Sequence, residues 1–141
     1  MSGRIVVGVD GSEGSRRALA WALEEAAIRA SVVRAVMVWE GPLSLGEELA
    51  YPVDEAEMSK RTRTRLAKAL AEVAGAHPDV EIEPVVLGGD PATLLCEQSR
   101  EGDLLVVGSR GHGGLVGSLL GSVSNRCAHV SPRPVAIVPL H

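Results

Sequence analysis

The sequence predicts a doubly wound α/β domain: a single open sheet of five mainly parallel strands in the order 3-2-1-4-5, with helices on both faces. Three observations carry this expectation. Five short aliphatic runs recur along the chain, β-branched and almost continuously apolar, as strands covered on both faces are. Segments with helical periodicity separate them, and strand-helix alternation implies parallel pairing through right-handed crossovers. Prolines then order the strands, because a strand inside a sheet cannot lose a ladder donor. Pro84 lies in the third run, while Pro134 and Pro139 flank the fifth, so these two runs are the edges. The order 2-1-3-4-5 would bury the Pro84 strand.

Taken in turn, residues 5–9 form the first run, and residues 13–30 carry Leu19, Leu23, Ala26 and Ala30 at helical spacing, with Ser12 as N-cap. Residues 32–39 are the second run. The connection 41–54, with Pro42, Pro52, Glu47 and Glu48, has no periodicity and reads as a surface loop. Residues 55–74 follow as a helix carrying Leu66, Ala69, Leu70 and Val73, and residues 80–87 are the third run. Asp90 and Pro91 supply a cap and a first-turn proline for a helix that runs to about Arg100 and stops at Gly102. The fourth run, 104–107, leads through a glycine-rich stretch into a helix at 122–130, stopped before Pro132. The fifth run is 135–138.

With 141 residues the chain fits one domain, spanning 1–141, at roughly 150 residues per domain. A net charge of −4 with 23% charged and 45% hydrophobic residues is that of an ordinary globular protein, which argues against disorder and against dedicated nucleic-acid binding. Aromatics are scarce: there is no Phe, only Trp21, Trp39 and Tyr51, so the core is aliphatic and a base-stacking platform is disfavoured. Lys60, Arg61, Arg63, Arg65 and Lys68 crowd one helix, but Glu55, Glu57 and Glu72 share it, and a solvated face is the reading. No apolar run reaches the ~20 residues of a membrane helix, and the first residues lack a signal-peptide core, so no membrane and a cytoplasmic location are expected. Cys96 and Cys127, far apart in sequence, read as small reduced core residues.

Two asymmetries point to the C-terminal third. Residues 1–103 hold all 18 acids and 11 of the 14 bases, whereas 104–141 hold Arg110, Arg126 and Arg133 and no acid. Six of the 16 glycines fall within 108–121. In a doubly wound sheet the ligand crevice opens outside the carboxyl ends of the strands where the winding reverses, here the first and fourth, at Asp10 and Gly108. Glycines leaving a buried strand allow close backbone approach, and N–H groups at the helix start near Ser122–Ser124 favour an anion, with phosphate the natural guest. Arg110 and His112 add charge, and Ser109, Ser122 and Ser124 add hydroxyls. The competing reading is a plain strand-to-helix loop with Ser122 as N-cap. The P-loop pattern is absent, since no Lys follows Lys68, and the dinucleotide fingerprint fails in spacing and place.

Gly108-x2-Gly111-x9-Gly121-Ser122 has the G-x2-G-x9-G-[ST] spacing of the ATP-binding branch of the universal stress protein family, and the chain resembles that family over nearly its whole length. Residues 5–12, the Gly88-Gly89-Asp90-Pro91 turn, residues 103–111 and residues 133–139 match as well. The resemblance implies an open five-stranded α/β fold that binds ATP, usually as a homodimer. It places Asp10 near the nucleotide and its Mg²⁺, with Gly8 and Val9 on the same strand end, and Val38 against adenine through its backbone. Gly108, Ser109, Arg110 and Gly111 would form the first half of the triphosphate loop, and Gly121, Ser122, Val123 and Ser124 the second. The dimer contact would be the fifth strand, through Val135 and Ile137.

Without a P-loop Lys, a paired-carboxylate motif or a nucleophile elbow, the sequence favours an ATP-binding regulatory module over an enzyme. Two alternatives stay open. One is a slow ATPase or ATP pyrophosphatase-like enzyme using the same crevice, with the Asp10–Ser15 turn as its phosphate site. The other is a dimeric scaffold with an empty pocket.

Overall fold

The computed structural model describes residues 3–40, 54–110 and 120–140. Strands β1 (Arg4–Gly8), β2 (Val32–Trp39), β3 (Ile82–Gly88), β4 (Leu104–Gly108) and β5 (Val135–Val138) alternate with helices α1 (Glu13–Arg29), α2 (Glu55–Val73), α3 (Pro91–Ser99) and α4 (Ser122–Val130). The strands form one sheet in the order β3-β2-β1-β4-β5, and every pairing is parallel. Both proline-bearing runs are therefore edges, and Pro84 stands in register with Ala35 on the outermost strand.

Strand alternation divides the core between the two faces. Ile5, Val7, Val9, Val33, Ala35, Met37 and Val106 pack under α1 and α2 with Leu19, Leu23 and Leu66. Val6, Val36, Leu105 and Val107 meet Leu95, Cys96 and Cys127 of α3 and α4 on the other face. Ala18, Ala22 and Ala26 give α1 a small-residue face against the sheet, which lets the helix approach it closely.

Local capping follows the sequence. Ser12 caps α1 by accepting from Ser15 N–H, and Asp90 caps α3 by accepting from Thr93 N–H at 3.0 Å, with Pro91 in the first turn. Boundaries move slightly. Val9 lies beyond β1 but its N–H still reaches Val36 C=O at 2.8 Å. Val80 is outside β3, held in a turn by its N–H bond to His77 C=O, so the third strand starts at Ile82. The predicted helix end at Ala74 becomes a 3-10 turn, Ala74–Ala76.

Charged residues close the amino-terminal edge of the sheet on the α3 face. Arg34, its side chain only 14% exposed, donates to Glu83 at 3.3 Å, Glu101 at 2.6 Å and Gln98 at 2.9 Å, while Arg4 Nε reaches Glu83 at 2.8 Å. The Arg4 hydrogen bond is the largest influence holding the Glu83 carboxyl below its ordinary range, and Arg34 does the same for Glu101.

Candidate functional site

The opposite edge of the sheet is built by close backbone contact. Gly108, the last residue of β4, abuts the first turn of α1: a Cβ on it would stand 2.7 Å from Gly14 C=O. A Cβ on Gly14 would in turn collide with Arg110 C=O. These two glycines let the first turn of α1 sit against the end of β4, beside the winding reversal between β1 and β4.

The turn after β1 is pinned internally. Asp10 Oδ1 accepts from Ser12 N–H at 2.9 Å and from the Ser12 hydroxyl, and Asp10 N–H donates to Ser15 Oγ at 3.1 Å. Gly11 takes φ +84, the left-handed conformation that this tight turn needs. From α2, Arg65 Nη2 donates to Asp10 C=O at 3.1 Å. Sequence reasoning left Arg65 on a solvated face, and no local pattern distinguishes it from Arg61 or Arg63.

The start of α4 is fixed onto Ser109, the residue after β4. Ser109 C=O accepts from Gly121 N–H at 2.7 Å and from the buried Ser124 hydroxyl at 3.0 Å, and Ser109 N–H bonds Val138 C=O at 2.9 Å. Gly121, not Ser122, occupies the N-cap, and no side chain among the described residues caps the helix there. Ser122 is exposed in the first helical position, so the plain-cap reading of Ser122 does not hold. Helix start and β1 turn thus flank one strand end, with Arg126 of α4 held by Asp90 at 2.9 Å. Hydrogen bonds from Thr93, then the Arg126 charge, keep the Asp90 carboxyl below its usual range.

The predicted residues separate by side-chain direction. Gly8 faces α3, where a Cβ would come 2.8 Å from Leu95 Cδ1, and Val38 packs partly buried on the same face. Val9 points the other way into the α1–α2 core, so only its backbone addresses the strand end. Val123 packs into the α3–α4 core, and Ser124 spends its hydroxyl on Ser109 and Gly121. Gly111, His112 and the loop 41–53 lie outside the described residues.

A universal stress protein family model matches residues 1–139. The chain belongs to the universal stress protein family. A universal stress protein of Mycobacterium tuberculosis is 38% identical over 134 residues, covering 94% of this chain and 44% of that protein. The chain therefore spans less than half the length of such curated relatives. Among solved structures, a universal stress protein crystallised in complex with cAMP is 30% identical over 99% of this chain and 98% of its own, with a TM-score of 0.74. A universal stress family protein of Arabidopsis thaliana with AMP bound has a TM-score of 0.65 at 22% identity, covering 97% and 91% of the two chains. In this universal stress protein, as the fold predicts, the backbone-lined strand ends sit at the winding reversal. No helix among the described residues is long and apolar enough to cross a membrane.

Proposed function

We propose that this chain is a regulatory, stress-response module of the cytoplasm that holds ATP at the carboxyl ends of β1 and β4. The observation that carries the reading is the α4 N-terminus: it has no side-chain cap among the described residues, lacks acids in its first turn, and is bonded to Ser109 beside the Asp10 turn. Such an end presents backbone N–H groups and a positive dipole to phosphate. The 30%-identical relative that binds cAMP supports an adenine nucleotide.

Mg²⁺ fits this site as a companion of the phosphates. Asp10, an oxygen donor in the turn after β1 whose Oδ1 accepts from Ser12 N–H, would be one ligand beside phosphate oxygens and water, the mixed shell that Mg²⁺ favours. Its charge would offset that of the triphosphate.

Binding rather than turnover is the role we assign. The Asp10–Ser15 turn is a poor phosphate cradle because Ser12 N–H and Oγ both serve Asp10, and Ser15 N–H serves Ser12. Steady-state release of phosphate or pyrophosphate would reverse that assignment. A homodimer through the exposed edge of β5, involving Val135 and Ile137, completes the reading, and sedimentation of Val135→Asp against the parent tests it.

Mass spectrometry of ligand released from denatured protein, purified without added nucleotide, tests the main reading together with calorimetric titration of ATP with and without Mg²⁺. We expect an adenine nucleotide and Mg²⁺-dependent binding. A folded protein that releases no nucleotide and shows no heat with ATP, ADP, AMP or cAMP overturns it.

A further inference from the structure

The two cysteines, 31 residues apart in sequence, meet thiol to thiol. Cys96 Sγ on α3 lies 4.0 Å from Cys127 Sγ on α4, with Cys127 fully buried and Cys96 8% exposed. These are the only cysteines in the chain. The chain between them contains β4, Ser109 and the start of α4, so a bond there would close a loop that carries the α4 start. We propose that Cys96 and Cys127 form a reversible disulfide that fastens α4 to α3 and changes nucleotide affinity; the second half of this proposal rests on the nucleotide reading above.

The chemistry balances with hydrogen peroxide as oxidant. Cys96, the more exposed residue of the two, attacks one peroxide oxygen as its thiolate, the O–O bond breaks, and the departing hydroxide takes a proton to leave as water. Cys127 sulfur then attacks the Cys96 sulfenic acid, the S–S bond forms, and the S–OH oxygen leaves as a second water with the thiol proton. Two electrons pass from the thiols to the peroxide. A small-molecule disulfide serves equally through a mixed disulfide on Cys96.

Closing the pair to about 2.05 Å requires the sulfurs to approach by about 2 Å. The first turn of α4 is bonded to Ser109, the residue after β4, through Ser124 and Gly121, so a shift of the helix is felt at the N–H groups facing the site. Burial, and after it the neighbouring Cys96, push the Cys127 thiol up to about 12, so it carries its proton at neutral pH and gives it up in the second step.

The test uses the whole chain, treated with hydrogen peroxide or glutathione disulfide, then denatured and alkylated. We expect a loss of about 2 Da with no alkylation, a linked Cys96–Cys127 peptide, reversal by dithiothreitol, and ATP affinity changed at least about threefold in the oxidised form. Cys96→Ser and Cys127→Ser, checked for folding by thermal melt, should show no oxidant-dependent change in affinity. Recovery of both thiols as alkylated cysteines, or of Cys96 as sulfinic acid with no linked peptide, overturns the disulfide without needing either variant. A linked peptide with unchanged ATP affinity overturns the regulatory half. Failure of the reduced protein to bind ATP counts against the nucleotide reading and leaves the disulfide standing.

Discussion

Ser122 and Ser124 are two positions apart on one helix and do different things. The Ser124 hydroxyl is buried against Ser109 C=O and Gly121 C=O, whereas Ser122 is exposed at the helix start. Ser124→Ala should therefore cost about 1–3 kcal/mol of stability, read as a lowered thermal midpoint. Ser122→Ala should leave that midpoint nearly unchanged and weaken ATP binding by about tenfold or more, read by calorimetry. The sequence presents both serines alike as phosphate donors. Burial separates them, and the Ser124 hydroxyl is held by Ser109, 15 residues earlier in the chain, a contact absent from the local pattern.

At the scale of the element, α4 offers a test in which stability and affinity move in opposite directions. An acid in the first turn interacts favourably with the helix dipole, by about 0.3–1 kcal/mol, but repels an anion held at the same end. Ser122→Asp should thus raise the thermal midpoint slightly while lowering ATP affinity by more than about tenfold. If affinity is retained in the folded variant, the phosphates lie elsewhere. The elements themselves were largely legible: α4 and β5 match the expected bounds because Pro132 and Pro134 punctuate them. The start of β3 was not, since Val80 is as β-prone as its neighbours and leaves the strand through a backbone bond to His77. Nor was the meeting of Cys96 with Cys127, which follows from α3 and α4 packing side by side.

Across the whole molecule, polar groups are sorted by strand end: the hydrogen-bonded Asp10 turn and the α4 start lie at the carboxyl ends, and the Arg4, Arg34, Glu83 and Glu101 network at the amino ends. The Arg4 hydrogen bond holds the folded-state Glu83 carboxyl below the ordinary carboxylate range, so its contribution is fully present above the unfolded pKa and is lost as pH falls through the folded one. Thermal melts from pH 7 to pH 3 should show this loss, and Glu83→Gln should be less stable at pH 7 with a shallower acid limb. None of this network was read from the sequence, because Arg4 and Glu83 are 79 residues apart and only the parallel register of β1, β2 and β3 brings them together.

The central position of β1 also bears on how the chain emerges from the ribosome. Its partner on one side, β2, ends at Trp39, but its partner on the other, β4, ends only at Gly108. At about 5–20 residues per second, the apolar strand Ile5–Val7 waits several seconds of translation with one edge unpaired. That open edge is a template for wrong pairing with other nascent chains. A fragment ending at Gly102 should accordingly lack cooperative melting by circular dichroism and sediment as aggregate, whereas extending it to Leu140 should restore a sharp transition.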